Sequence, residues 1–157
     1  MKEKSNLNKS IYLIITFLVT TALNINLSTF LSEKAQNSKE FLPFLNLNYM
    51  ENTGAAFSIL QDSKLFLISF SIFAIALILF YFIKHIKTLR MMPIFFISIL
   101  LSGITCNTLE RIIYGYVRDY FDFVNISFPV FNISDMFINI SVVVIMVLLI
   151  KKNKTEK

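Results

Sequence analysis

The chain is 157 residues long, 55% of its residues are hydrophobic and only 16% are charged, and its mean hydropathy is +0.66. Soluble domains carry about 25% charged residues, so this chain has too few polar side chains to cover a water-facing globule and too many apolar ones to be disordered. Cys106 is the one cysteine, which excludes an intramolecular disulfide and a multi-cysteine metal site. The composition indicates an integral membrane protein.

Four apolar stretches have the length of a transmembrane helix, which is about 20 residues. They predict spans at residues 11–31, 65–83, 91–109 and 130–150. The second stretch has no charge, whereas the first carries Asn24 and Asn26 and should turn these polar groups toward other helices. The first stretch lacks a clear small-residue cleavage site and is followed by further spans, so we interpret it as a retained helix rather than a cleaved signal.

Between the first two predicted spans, residues 41–60 combine short apolar runs with turn residues. This pattern indicates short strands, and we expect an interfacial β-element at the membrane surface. The predicted fold class is therefore an all-α membrane protein, with four transmembrane helices and a small extracytoplasmic β-element between spans 1 and 2. We predict that residues 1–157 form a single integral membrane domain.

The basic residues are distributed unevenly between the connections. The N-terminal segment, the connection between spans 2 and 3 and the C-terminal segment together hold 10 of the 15 basic residues and have a net charge of +8, whereas the two remaining connections have a net charge of −3. Because basic loops stay in the cytoplasm, both termini are predicted to be cytoplasmic. The overall charge of +5 is then a topology signal, and we expect no nucleic acid partner.

Three aspartates lie close to the predicted outer boundary of the membrane: Asp119, Asp122 and Asp135. A carboxylate at this depth is costly unless it lines a polar cavity or has a partner, so each is a candidate functional residue. The only histidine, His85, lies among lysines on the predicted cytoplasmic side, which excludes a Ser/His/Asp arrangement at the outer face and disfavours a histidine metal site. Two carboxylates that share a proton are the remaining general acid–base apparatus.

Each of these residues also has an ordinary structural interpretation. The N-x-x-D spacing of Asn132 and Asp135 at the start of the fourth span is typical of a helix cap, and Asp119 taken alone is typical of a solvated loop charge. We interpret Asp122 as a solvated or interfacial charge and Cys106 as a small packing residue. Spacing alone leaves the choice between capping and catalysis open for Asp135.

Four short segments follow one another in a distinctive order. Their sequences are NTGAAFS at residues 52–58, CNTLER at 106–111, GYVRDY at 115–120 and FNISD at 131–135. They resemble, in the same order, the NTGAAFS, GNxxDR, GxVxDF and FNxAD motifs of the signal peptidase II family, the lipoprotein signal peptidases. One such match could arise by chance, whereas four ordered matches on a four-span chain are a strong resemblance.

The resemblance implies a four-span bacterial aspartic protease with Asp119 and Asp135 as its catalytic pair. The implied substrate is a prolipoprotein that carries a diacylglyceryl group on a cysteine, and the cut falls on the N-terminal side of that cysteine. No cofactor or metal is implied. We expect a monomer in contact with membrane lipid, in the bacterial cytoplasmic (inner) membrane, with the active site near the extracytoplasmic face.

The resemblance also implies substrate-binding or supporting roles for five further residues: Asn52, Gly54, Asn107, Arg111 and Asn132. The three asparagines match family asparagines around the pocket, where they bind substrate backbone or hold the aspartates. For Arg111 two partners remain open, namely Glu110 and a lipid or peptide carbonyl. Gly54 with Ala55 and Ala56 offers a small surface suited to an extended peptide or to close packing.

Several positions depart from the family pattern. Glu110 replaces the motif aspartate, Cys106 and Ser102 replace small glycines, and Asn24 and Ser28 stand where the family's first span has an aspartate and a lysine. These departures leave an alternative open, a catalytically silent homologue that binds lipoprotein or signal peptide without cleavage. A small transporter fits less well, because the acids cluster at one membrane face rather than midway.

Overall fold

The computed structural model describes residues 2–37, 40–54 and 60–155. Its helices are, in chain order, α1 (Lys2–Asn37), α2 (Lys64–His85), α3 (Met91–Ile113) and α4 (Ile133–Thr155), and its strands are β1 (Glu40–Leu42), β2 (Leu45–Asn52) and β3 (Val117–Phe123). Within the described residues, four helices are long and apolar enough to cross a membrane. The predicted class, a four-span membrane protein with a small β-element, is confirmed.

The helices extend beyond the predicted spans at most of their ends. Helix α1 continues past residues 11–31 on both sides and ends at Asn37, and α3 continues to Ile113. An apolar run marks the hydrocarbon thickness, whereas the helix itself continues into the polar interface. Helix α4 instead begins at Ile133, later than the predicted residue 130, because Asn132 caps it.

Helix α3 is the centre of the bundle. Within the apolar stretch of α3, 56% of the residues are buried, against 11% in the corresponding stretches of α1 and α2 and 17% in that of α4. It packs against the other three helices. Gly103 allows a close approach of α3 and α4, because a Cβ atom at this position would lie 2.6 Å from the carbonyl oxygen of Ser134 in the first turn of α4. The α3 and α4 backbones therefore touch at Gly103.

The strands form a three-stranded antiparallel sheet in the order β1-β2-β3. Strands β1 and β2 form the predicted element between the first two membrane helices, whereas the third strand comes from the connection between α3 and α4, which was not predicted to pair with them. The β2–β3 register pairs Leu45 with Phe123 and Asn52 with Val117. A further bridge between Phe121 and Phe131 ties β3 to the residues that precede α4.

The sheet covers one end of the helix bundle, which we call the sheet end. There the last turns of α1, the sheet and the first turn of α4 share a core of seven buried residues: Leu31, Ala35, Leu45, Leu47, Tyr120, Phe121 and Ile133. A second core lies toward the opposite end and is formed by Leu13, Phe82, Ile94, Ile97 and Leu101. Large exposed side chains such as Leu65 and Phe80 on α2 then face outward, as expected for contact with lipid.

The opposite end of the bundle carries the basic residues of the α2–α3 connection. Lys9 of α1 donates a hydrogen bond from Nζ to the carbonyl oxygen of Ile86 at 2.9 Å. This bond provides a partner for a backbone carbonyl group just after the end of α2. His85 also lies at this end, where its Nδ1 donates to the carbonyl oxygen of Tyr81 at 3.0 Å and its ring centroid lies 4.4 Å from that of Tyr81. Its position agrees with that of a residue at the membrane surface.

Candidate active site

Asp119 lies in the middle of β3 and is only 2% exposed. Its Oδ1 accepts a hydrogen bond from Asn132 Nδ2 at 2.7 Å, and its Oδ2 accepts one from Asn52 Nδ2 at 2.9 Å. The sheet register explains the second contact: Asn52 pairs with Val117, two residues before Asp119, so the two polar side chains are diagonal neighbours on one face of the sheet. The interpretation of Asp119 as a solvated charge does not describe this buried position.

Asp135 lies in the first turn of α4 and is half-buried. Its Oδ1 accepts a hydrogen bond from Asn107 Nδ2 at 2.8 Å. Its Oδ2 accepts the backbone N–H of Asn132 at 3.2 Å, while its own N–H donates to Asn132 Oδ1 at 2.9 Å. These reciprocal bonds form a capping box, so the predicted cap is present in addition to the contact with Asn107.

Two amide side chains connect the aspartates. Asn132 Nδ2 donates to Asp119 and also, at 3.2 Å, to Asn107 Oδ1, and Asn107 Nδ2 in turn donates to Asp135. Each of the four carboxylate oxygens thus accepts a hydrogen bond from an amide N–H. Hydrogen bonds from these neutral donors favour the ionised form of a carboxylate, so they act against burial and mutual repulsion, which favour the protonated form.

Burial first, and then the charge of Asp135, raise the pKa of Asp119 from its ordinary value of 3.8 to about 7. Hydrogen bonds from Asn52 and Asn132 and the positive charge of Arg111 oppose this rise in pKa but do not cancel it. Desolvation and a neighbouring like charge both disfavour the ionised carboxylate. Below about pH 7 the pair therefore holds a proton, which is the state that general acid–base chemistry between two carboxyl groups requires.

Arg111 fixes the segment that follows β2. Its Nη2 atom donates to the carbonyl oxygen of Gly54 at 2.7 Å, and its Nη1 atom donates to the carbonyl oxygen of Asn107 at 3.4 Å. The N–H of Gly54 donates to Asn52 Oδ1 at 2.9 Å. The carbonyl that Arg111 contacts belongs to the chain itself, so its approach to a lipid or substrate carbonyl stays a prediction. Residues 55–58, which include Ala55 and Ala56, lie outside the described residues.

In the described hydrogen bonds and ion pairs, Glu110 is engaged by Arg118 rather than by Arg111. Glu110 Oε1 accepts hydrogen bonds from Arg118 Nε at 3.0 Å and Nη2 at 2.7 Å, and Oε2 accepts the backbone N–H of Arg118 at 2.7 Å. The Arg118 guanidinium also lies over the ring of Tyr114, 4.9 Å from its centroid. Neighbouring residues on a helix point in different directions, so Glu110 turns toward β3 while Arg111 turns toward Gly54.

The structure brings together both predicted aspartates and all five predicted supporting residues. Asp122 lies outside this cluster: its Oδ2 accepts a hydrogen bond from Asn48 Nδ2 at 3.1 Å between β2 and β3. Cys106 is buried and is 5% exposed, as a packing residue would be. Sequence reasoning missed Tyr120, whose hydroxyl contacts Ser28 and the N–H of Ile133. The available signal was a tyrosine at a position where the motif has phenylalanine.

Four membrane-spanning helices that bring two carboxyl groups together at one end have the architecture of a multi-pass membrane peptidase of the aspartic type. A family model described as Signal peptidase (SPase) II matches residues 10–151. The chain therefore belongs to the signal peptidase II family and is an enzyme of that class.

Relatives and solved structures agree with this membership. The chain is 33% identical to a lipoprotein signal peptidase of Fusobacterium nucleatum over 94% of its length and 91% of that protein. It is 35% identical to a lipoprotein signal peptidase of Clostridium tetani over 72% of its length and 74% of that protein. A bacterial membrane enzyme determined by the in meso method at 2.3 Å resolution superposes with a TM-score of 0.82 at 27% identity, with 92% of this chain and 91% of the other covered.

Proposed function

We propose that this enzyme removes the signal peptide from diacylglyceryl-modified prolipoproteins by cutting on the N-terminal side of the lipidated cysteine. The observation that carries the proposal is the linked pair of carboxyl groups: Asp119 and Asp135 are held by one set of amide donors at the sheet end of the bundle. The relatives named lipoprotein signal peptidase support the same substrate class.

The proposed mechanism uses one shared proton. One carboxyl group is ionised and removes a proton from a water molecule, whose oxygen attacks the scissile carbonyl carbon, while the protonated partner hydrogen-bonds the carbonyl oxygen as it becomes negative. The tetrahedral intermediate then collapses, the C–N bond breaks, and the leaving nitrogen takes up a proton from the pair. Because the two groups titrate as a unit, the proton belongs to the pair rather than to Asp119 or Asp135 alone.

The five supporting residues are proposed to hold the pair rather than to react. Asn52, Asn107 and Asn132 each donate to a carboxylate oxygen, and Arg111 with Gly54 fixes the segment that carries Asn52. Preorganised donors of this kind keep reacting groups in place before the substrate arrives. No cofactor or metal takes part in the proposed chemistry.

We also propose a placement for the molecule. It is a single domain in the bacterial cytoplasmic membrane, with both termini in the cytoplasm and the sheet end on the extracytoplasmic side, and the charge pattern supports this orientation. A lipidated cysteine on that side would lie level with the aspartates, and the apolar helix surfaces support direct contact with membrane lipid. We propose that one copy of the chain is sufficient for activity.

The substrate claim is tested with the purified enzyme in detergent micelles. The probe is a precursor with a diacylglyceryl group on its cysteine, and the control is the same precursor without the lipid. We expect mass spectrometry to find a cut directly before the cysteine in the lipidated precursor and much slower cleavage of the control. A lipidated precursor that binds and stays intact would contradict the proposal and support the silent binder.

A further inference from the structure

Tyr120 occupies a fully buried position next to Asp119. Its side chain is 0% exposed. Successive side chains on a strand point to opposite faces, so the ring lies on the face of β3 that does not carry the Asp119 carboxylate. There its hydroxyl oxygen accepts the backbone N–H of Ile133 at 3.2 Å and lies 3.0 Å from Ser28 Oγ. One hydroxyl thus contacts both α1 and the first residue of α4.

The hydrogen bonds around this hydroxyl have a defined direction. Ser28 has a single hydroxyl proton and donates it to Asn24 Oδ1 at 3.1 Å, so the Tyr120 hydroxyl is the donor in its contact with Ser28. Asn24 Nδ2 donates in turn to Ser134 Oγ at 3.0 Å. Burial raises the pKa of Tyr120 to about 12, which keeps its proton in place. All four side chains are buried, and such closed networks are stronger than isolated pairs.

The network ends on the two segments that carry the aspartates. Tyr120 follows Asp119 directly, and Ile133 and Ser134 are the two residues that precede Asp135. The described contacts therefore join β3 to the first turn of α4 through a side chain that does not itself touch either carboxylate. The distance between two carboxyl groups that share a proton is sensitive to such ties, and a displacement of about 1 Å can reduce a rate by about 100-fold.

We propose that Tyr120 is a positioning residue for the Asp119–Asp135 pair, whose hydroxyl fixes β3 against the first turn of α4 and is itself anchored on α1 by Ser28 and Asn24. The inference rests on the proposed function, because a positioning role has meaning only for a pair that reacts. Helix α1 then contributes to catalysis through this anchor, although none of its residues contacts the aspartates in the described contacts.

Tyr120→Phe keeps the ring and removes the hydroxyl. We expect kcat to fall about tenfold and KM to change less than about twofold, because the pair shifts while the substrate contacts stay. Without the hydroxyl, β3 and α4 are no longer tied together and the two carboxyl groups move apart. This wider separation weakens the repulsion between the carboxylates. The charged groups that act on Asp119 are Asp135 from α4 and Arg111 from α3. Weaker repulsion from Asp135 lowers the pKa of Asp119, so the alkaline limb of the kcat profile should move to lower pH. A residue that only stabilised the fold would lower the yield of folded enzyme without moving this limb.

One further variant and two controls keep the test decisive if Tyr120→Phe folds poorly. Ser28→Ala removes the acceptor of the Tyr120 hydroxyl and should shift the limb in the same direction, by less. Ser98→Ala is its matched control, since Ser98 is equally buried but donates only to the carbonyl oxygen of Ile94 in its own helix. Tyr81→Phe is the control for the tyrosine, because Tyr81 lies at the opposite end of the bundle. Both controls should keep the parent kcat and pH profile.

The outcomes separate this inference from the proposed function. A parent enzyme that does not cut the lipidated precursor overturns both. An active parent with an unchanged kcat and an unchanged alkaline limb in Tyr120→Phe or Ser28→Ala overturns the positioning role alone. A lower kcat with a displaced limb in these two variants, beside unchanged controls, supports it.

Discussion

Asn132 serves two purposes with a single side chain. Its Oδ1 accepts the N–H of Asp135 and caps α4, while its Nδ2 donates to Asp119 and to Asn107. The oxygen thus satisfies a helix end, and the nitrogen joins the two halves of the site. At the scale of the residue, capping and the proposed catalysis are not alternatives, because one amide group both caps the helix and hydrogen-bonds a carboxylate of the proposed pair.

These two contributions are separable by substitution. Serine caps a helix about as well as asparagine but offers no amide N–H to Asp119. Asn132→Ser should therefore retain about 1 kcal/mol of unfolding free energy that Asn132→Ala loses. Both variants should lose about 10- to 100-fold in kcat/KM, since a hydrogen bond to a charged group contributes about 1.5–3 kcal/mol. Thermal unfolding and cleavage assays on the two proteins measure this. Parent-like activity in Asn132→Ser, beside a loss of both activity and stability in Asn132→Ala, would show that Asn132 only caps the helix.

The proton on the aspartate pair sets a second expectation at this scale. Because burial and the charge of Asp135 raise the pKa of Asp119 to about 7, the pair retains its proton up to about that pH and loses it above. We expect kcat to fall as the pH rises above about 7. The free energy of unfolding should also fall as the pH rises. The folded state binds this proton more tightly than the unfolded chain, so the stability that this group contributes decreases from about pH 4 to pH 7. A kcat that keeps rising above neutral pH would contradict this protonation state.

Helix α3 is the element that aligns the others. Gly103 brings α4 into backbone contact, and Asn107 lies one turn further along the same helix face, where it reaches Asp135. At the end of the helix, Glu110 holds the backbone and side chain of Arg118 on β3. One rigid helix therefore sets the position of α4 and of β3, the two elements that carry the aspartates.

Gly103→Ala tests this alignment. An added Cβ would lie 2.6 Å from the carbonyl oxygen of Ser134 and 2.9 Å from Cγ1 of Ile138. We expect a loss of about 1–3 kcal/mol of stability and a lower kcat, because α4 must move and Asp135 moves with it. Adding Ile138→Ala should not restore either quantity, since the backbone oxygen remains. Parent-like stability and kcat in Gly103→Ala would contradict the close contact of α3 and α4.

At the scale of elements, sequence patterns predicted what is local. Apolar runs predicted the four membrane helices, and the N-x-x-D spacing predicted the cap at Asn132. The pairing of β2 with β3 joins residues far apart in the chain, such as Asn52 and Val117, and the pattern within one strand does not identify the strand that pairs with it. The Glu110–Arg118 pair was missed for a different reason: it forms only because the chain reverses at Gly115, where φ is +92°.

The whole molecule is polarised along the bundle. Acids and amides gather at the sheet end, whereas the α2–α3 connection at the opposite end has Lys84, Lys87 and Arg90 and no acid. The same asymmetry that predicts the orientation also places the paired aspartates at one end of the bundle instead of at mid-depth. The resemblance identified the residues of the site, and only the folded chain brings them to one end.

Orientation is measurable with single cysteines. Cys106 is buried, so the parent should not react with a membrane-impermeant maleimide. Gln61→Cys reports on the sheet end and Lys87→Cys on the opposite end, and both positions are exposed. We expect labelling of the first in intact cells and of the second only after the membrane is permeabilised. The reverse pattern would contradict the proposed topology.

The most direct test of the proposed catalytic pair is the rate of cleavage of a diacylglyceryl-modified precursor by the parent and by three matched aspartate variants. Asp119→Asn and Asp135→Asn should each lose about 100-fold or more, since each removes a group that must carry or accept the shared proton. Asp122→Asn is the control, because Asp122 lies on the same strand but outside the linked pair, and it should cleave at the parent rate. Parent-like cleavage by a folded Asp119→Asn or Asp135→Asn enzyme would show that the two aspartates are not the catalytic pair.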